Sequence, residues 1–212
     1  MTSSSSWTCS CIYRRPARTA ISHTRWATHG EPSPENSHPI TSGPGADFTV
    51  VHNGIITNFA KLKAFLEEEG QTFATDTDTE VIPKLCALIY SALERPLPLS
   101  QLVMQVLRKL DGAYAILVQS RHYPGELVCC RKGSPVVFAV KDTHGAALRR
   151  FSTSTDLGGR CFDGHPLECF IASDDKAIIE HTQARPLHAA VVAWPGSREA
   201  CRTCLNISSQ SW

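Results

Sequence analysis

The stretch Asp47-Phe-Thr-Val-Val-His-Asn-Gly-Ile-Ile-Thr-Asn58, continuing as Phe-Ala-Lys-Leu-Lys-Ala-Phe-Leu-Glu-Glu-Glu69, decides the fold class. Its opening Asp47–His52 is a β-branched and aromatic run, the composition of a strand, and Asn53-Gly54 is expected to close it as a tight turn. From Asn58 the period changes. Phe59, Leu62, Phe65 and Leu66 share one helical face, with Asn58 as cap and Gly70 as stop.

Working outward toward the C-terminus, a second helix is expected to begin near Asp78-Thr79-Glu80. Val81, Ile82, Leu85, Leu88 and Ile89 form its apolar stripe, and Pro83 must lie in its first turn. Ser100 is expected to cap a third helix with Leu102, Val103, Val106, Leu107 and Leu110 at helical spacing. Past Gly112 the runs Ala113–Gln119, Glu126–Arg131, Pro135–Val140 and Glu168–Ala172 read as strands bounded by Gly, Pro and Asp. Residues 141–166 carry breakers without period, a loop or insertion. Ser173–Glu180 reads as a short helix capped by Ser173, Ala189–Trp194 as one more strand, and the rest as a tail. Toward the N-terminus, 1–20 show no period and read as a loose, basic arm. Helices followed by strands make the chain α+β.

Composition narrows the function classes. The 212 residues are 42% hydrophobic and 19% charged, which excludes a wholly disordered chain and suits about one domain. Lys and Arg (21) balance Asp and Glu (20), so no global field draws nucleic acid or an anionic membrane. The longest apolar runs, such as Ala113–Val118, are far below the roughly 20 residues of a membrane span. No leader is evident at the N-terminus, and a cytoplasmic address is the default. Nine irregularly spaced cysteines suit reduced thiols, and the single Cys201-Arg-Thr-Cys204 pair lacks the second half of a zinc site. Neither metal nor cofactor is expected.

Three short segments concentrate chemistry: His23-Thr-Arg-Trp-Ala-Thr-His-Gly30, His52-Asn-Gly54 and Thr77-Asp-Thr-Glu80. Arg25, Thr28 and His29 are close together, and a guanidinium beside hydroxyl and imidazole donors suits a carboxylate. A solvated surface loop is the plain alternative, and Trp26 could equally be a core aromatic. Asn53-Gly54 is a hairpin turn by default. The same pair, a carboxamide beside a backbone N–H, can also form an oxyanion hole for acyl transfer. Asp78 is by default a helix cap, and otherwise a partner for a substrate ammonium. Together these functions describe a pocket for a free amino acid with a side-chain amide, and glutamine fits.

The strings HTRWATHGEPSPENSHP, VVHNGIITN, TDTDTEVI, RKGSPVV and FIASDDKAIIEHT closely resemble the glutaminase domain of the glutamine–fructose-6-phosphate aminotransferase family. The likeness runs from about Ile21 to Thr182, with a break across 141–166. It implies an N-terminal-nucleophile fold, an αββα sandwich of two antiparallel sheets. By that resemblance Arg25, Thr28 and His29 hold the glutamine carboxylate, Asp78 its amino group, and Asn53 with Gly54 the oxyanion. Trp26 matches a tryptophan that gates ammonia passage. The implied partners are glutamine and full-length aminotransferase subunits, with neither nucleic acid nor membrane.

The family chemistry uses an N-terminal cysteine whose own α-amino group is the base. This sequence opens Met1-Thr2, and Cys9 and Cys11 lack the following Gly-Ile context. The expectation is therefore a domain incomplete at its N-terminus: 1–20 unmatched, 21–182 a partial glutaminase domain, 183–212 an unmatched tail, and the sugar isomerase domain absent. Such a chain is expected to bind glutamine without hydrolysing it. The alternative is a non-catalytic glutamine-binding or regulatory partner of the full-length enzyme.

Overall fold

The computed structural model describes residues 9–12, 18–25, 29–141, 168–180 and 191–194. Its strands are β1 (Cys9–Ile12), β2 (Arg18–Thr19), β3 (Ile40–Thr41), β4 (Phe48–Ile56), β5 (Gly112–Ser120), β6 (Leu127–Lys132), β7 (Val137–Lys141), β8 (Glu168–Ala172) and β9 (Val191–Trp194). Its helices are α1 (Phe59–Glu68), α2 (Val81–Ser91) and α3 (Leu99–Leu107). Two antiparallel sheets result, one in the order β2-β1-β8-β7 and the other in the order β3-β4-β5-β6-β9.

The centre of the larger sheet is the β4–β5 pair, in register from Phe48 opposite Ser120 to Ile56 opposite Gly112. That register overturns the turn expected at Asn53-Gly54, because β4 runs straight through both residues. Gly54 has φ +132°, and a Cβ there would stand 2.1 Å from the Ala113 carbonyl oxygen. Close backbone approach, rather than chain reversal, explains the glycine.

Alternation along the strands gives the sheet two buried faces. Phe48, Val50, Ile56, Ile116, Val118, Val128 and Cys130 join Leu66, Leu85, Leu102 and Val106 of the helices in the main core. The other face, with Val51, Ala115, Leu117, Leu127 and Cys129, is buried as well, as a sheet with a layer on each side requires. Each fully buried Leu, Ile or Phe contributes roughly 1.5–3 kcal/mol, so this sandwich carries most of the stability.

The helical periods hold, and their ends differ from expectation. All five apolar residues of the α3 stripe are buried, as are Val81, Ile82 and Leu85 of α2, with Pro83 in its first turn. In α1 only Leu66 is buried, and Phe65 is exposed. Asn58 caps nothing with its side chain: its Nδ2 donates to the Lys109 carbonyl (2.9 Å) and its Oδ1 accepts from the Asp111 N–H (3.0 Å). Gly70 does stop α1, at φ +80°. Pro98 rather than Ser100 is the cap of α3, its carbonyl accepting from the Gln101 and Leu102 N–H groups. Ser173–Glu180 holds only a 3-10 turn at Asp175–Ala177, capped by Asp174, whose Oδ1 accepts from the Lys176 N–H.

The segment 1–20, read as an arm without period, contains β1 and β2, and β1 pairs along its length with β8. Two- and four-residue strands are too short to show a period, and the partner that orders them is far away in sequence. The loop expected over 141–166 falls almost wholly outside the described residues, and Cys201 and Cys204 lie outside them too. Cys86, Cys129 and Cys130 are free buried thiols. No described helix is long and apolar enough to cross a membrane.

Candidate functional site around Asp78

The segment before α2 turns inward instead of capping it. Asp78, Thr79 and Glu80 form a 3-10 turn with all three side chains buried. Glu80 spends its carboxylate on the backbone N–H groups of Ala74 (3.0 Å to Oε1) and Thr75 (2.7 Å to Oε2), and on Lys84 Nζ at 3.4 Å. Those bonds pin the preceding loop, as buried charge requires. Asp78 Oδ2 accepts from the Ile56 N–H at 2.8 Å. The default reading of Asp78 as a cap is thus replaced: the carboxylate crosses to β4. Its Oδ1 accepts no hydrogen bond from the described residues, and His52 Nδ1 lies 4.0 Å away.

Residues 23–25 and 29–38 lie against this turn. Arg25 donates to the backbone carbonyls of His29, Gly30 (3.1 Å) and Glu31 (3.5 Å), which curls the loop around its guanidinium. The His29 ring packs edge-on against Phe59 at the start of α1, with centroids 5.3 Å apart. Asn36 fastens the loop to the turn, donating to the Glu31 carbonyl (2.9 Å) and accepting from the Asp76 N–H (3.0 Å). Gly30, at φ +74°, abuts Asp76 so closely that a Cβ would meet its backbone at 3.2 Å.

A chain of imidazoles lies beneath. His23 Nδ1 and His38 Nδ1 are 2.6 Å apart, His38 Nε2 is 3.1 Å from Thr79 Oγ1, and Thr79 Oγ1 is 2.9 Å from His52 Nδ1. Burial lowers the pKa of His23 to about 4, of His38 to about 3 and of His52 to about 4, so all three are neutral near pH 7. For His52 the Asp78 charge works against that desolvation and the neighbouring His29 works with it. No set of three or more His, Cys, Asp or Glu side chains among the described residues is arranged to hold a metal ion. Both His38 nitrogens, His23 Nδ1 and His52 Nδ1 are spent on one another and on Thr79.

Of the residues expected to form the site, Arg25, His29 and Asp78 are tied together through the loop, Asn36 and the 3-10 turn, and Asp78 is tied to the strand carrying Asn53 and Gly54. Asn53 lies on the face of β4 opposite His52, and its carboxamide makes no hydrogen bond to a described residue. Trp26 and Thr28 lie outside the described residues. Residue type and spacing alone assign no role to Asn36, His38 or Thr79, although Asn36 and His38 sit in HTRWATHGEPSPENSHP and Thr79 in TDTDTEVI. The signal was there as residue type, and the pairing was not.

The glutamine amidotransferase domain family matches residues 23–153. The chain belongs to that family. The chain is 45% identical over 174 residues to glutamine–fructose-6-phosphate aminotransferase [isomerizing] 1 of Arabidopsis thaliana, covering 77% of this chain and 24% of that protein. It is 41% identical over 180 residues to the Rattus norvegicus protein of the same name, covering 76% and 26%. A probable aminotransferase of this kind from Schizosaccharomyces pombe is 52% identical over 122 residues, 58% of this chain and 17% of that one. The chain therefore spans about a quarter or less of the curated relatives it matches. Among solved structures, glutamine phosphoribosylpyrophosphate amidotransferase from B. subtilis aligns with a TM-score of 0.52 at 18% identity, over 92% of this chain and 43% of that one. That likeness carries the fold alone: the α+β, N-terminal-nucleophile amidotransferase architecture of paired antiparallel sheets.

Proposed function

We propose that this amidotransferase domain binds free L-glutamine. Asp78 pairs with the α-ammonium, Arg25, Thr28 and His29 hold the α-carboxylate, and Asn53 with the Gly54 N–H receives the developing oxyanion. Trp26 closes the route by which ammonia leaves. The observation that carries this reading is the Asp78 carboxylate, buried, with one oxygen fixed by the Ile56 N–H and the other accepting nothing from the described residues. A buried carboxylate with an open oxygen favours a cationic ligand. The strand geometry adds support at Asn53, which has no turn left to explain it.

In a complete enzyme of the kind its relatives are named for, the released ammonia would convert fructose 6-phosphate to glucosamine 6-phosphate, the entry to hexosamine synthesis. Hydrolysis by this chain alone is not part of the proposal. The free thiols Cys86, Cys129 and Cys130 are buried, and burial pushes Cys129 up to about 12, far from a thiolate nucleophile. The second reading is a non-catalytic, glutamine-binding or regulatory partner of the full-length aminotransferase.

Calorimetric titration of the purified chain with L-glutamine tests the binding. Saturable binding that Asp78→Asn weakens about tenfold or more supports it, and no binding at millimolar glutamine refutes it. A glutamate-release assay, run beside a version with a Cys-Gly-Ile start and a restored family N-terminal segment, separates the two readings. Glutamate from both would return this chain to the enzymes.

A further inference from the structure

With every imidazole neutral, the chain allows three proton arrangements. A neutral imidazole carries one N–H, and a threonine hydroxyl one O–H and two acceptor lone pairs, so the bonds from His23 through His38 and Thr79 to His52 run all in one direction, all in the other, or converge on Thr79 Oγ1 from His38 Nε2–H and His52 Nδ1–H while the hydroxyl donates elsewhere. In one direction His38 Nδ1–H donates to His23, Thr79 O–H donates to His38 Nε2, and His52 Nδ1–H donates to Thr79 Oγ1. In the other, Thr79 donates to a bare His52 Nδ1, and the His52 proton sits on Nε2.

Two features tell against the second arrangement, the only one of the three that puts the His52 proton on Nε2. His52 Nε2 is buried with no hydrogen-bond partner among the described residues, so a proton there is a stranded N–H donor. The same arrangement also points the His52 Nδ1 lone pair toward the Asp78 carboxylate, 4.0 Å away, whereas the other two point an N–H at it. We infer that Thr79 is the positioning residue of this site, ordering the relay so that His52 holds its proton on Nδ1 and Asp78 is fixed to receive the ammonium. Thr79 joins His38 of the segment 29–38 to His52 of β4 while standing next to Asp78 in one turn, so its hydroxyl sets the carboxylate-binding loop and the ammonium-binding carboxylate in register. This role rests on the glutamine reading of Asp78; the proton order does not.

The test has two arms on the full chain. Long-range proton–nitrogen spectra of the 15N-labelled protein at neutral pH report which His52 nitrogen is protonated. We expect the Nδ1–H form, opposite to the tautomer free histidine prefers, kept in Thr79→Ser and lost in Thr79→Val. An Nε2–H form in the parent protein, or no change in Thr79→Val, overturns the relay. In the second arm L-glutamine is compared with 4-carbamoylbutanoate, which lacks the α-ammonium. Thr79→Val should weaken glutamine about tenfold and the analogue less than about twofold, with Thr79→Ser restoring glutamine. Equal losses for both ligands overturn the positioning role. If neither ligand binds the parent protein, the glutamine reading fails and takes the positioning role with it, while the spectra still decide the proton order.

Discussion

One face of β4 changes character along its length. Phe48 and Val50 are wholly buried against the helices, and two residues on His52 is buried just as deeply, with polar neighbours instead of apolar ones. Gly54 then offers no side chain at all. The first half of the strand is held by dispersion and area, which tolerate many sequences of similar volume. The second half is held by directed bonds among His52, Thr79, Asp78 and the Ile56 N–H, which tolerate few. Polar burial is costly unless satisfied, so its concentration at this end of the strand is what a ligand site would require and a core would not.

The strongest way to break the comparison is at its seam. Gly54→Ala demands a left-handed φ of +132° and drives a Cβ to 2.1 Å from the Ala113 carbonyl oxygen. Strain and strand displacement together should cost about 4 kcal/mol or more, read as loss of cooperative thermal unfolding. Leu85→Ala, in the apolar half, should cost about 3 kcal/mol by chemical denaturation and leave glutamine affinity unchanged wherever the protein is folded. A Leu85 variant that folds yet loses glutamine would show that the two halves are not separable.

The apolar half was legible in the sequence and the polar half was legible only as residue types. The stripes of α2 and α3 repeat within a few residues, so period alone locates them. Asn53-Gly54 misleads because the local pattern of a hairpin turn is the same pair of residues, and only the nine-residue register with β5 shows the strand continuing. Asn36 finds the Asp76 N–H and His38 finds Thr79 across about forty residues, a pairing no local pattern encodes. Asn58 shows the same limit: a residue suited to cap its own helix instead bonds the start of β5's approach at Lys109 and Asp111.

Acid should sharpen the contrast. Unfolded histidines titrate near 6.5, and in the fold those of His52 and His23 are lowered to about 4 and that of His38 to about 3. Between these values the unfolded chain binds more protons than the folded one, so stability rises with pH. It is complete above the unfolded pKa and is lost as pH falls from about 6.5 toward 4. The groups facing the relay are Asp78, which favours protonation of His52, His29, which opposes it, and Arg25, which opposes protonation of His23 and His38. For His52 alone the loss by pH 5 is on the order of 2 kcal/mol. Melting temperatures at pH 8, 6.5 and 5 should be flat over the first step and fall over the second, and His52→Gln should flatten the fall. A flat profile down to pH 5 would mean that the imidazoles are not buried neutral.

The smallest effect separates fastening from packing most finely. Asn36 and Asn58 are both asparagines bridging two backbone groups, one beside the polar turn and one at the foot of α1. Replacing either with Ala removes two hydrogen bonds and should cost about 1–2 kcal/mol, more at Asn36 because it is buried. Their consequences for ligand should differ. Asn36→Ala frees the Arg25–Glu31 loop from Asp76 and should weaken glutamine several-fold, while Asn58→Ala should leave it unchanged. Paired denaturation and calorimetry on the two variants read both quantities. Matching affinity losses would place the recognition loop's order in the fold as a whole, and a loss confined to Asn36→Ala would place it in the bonds between loop and turn.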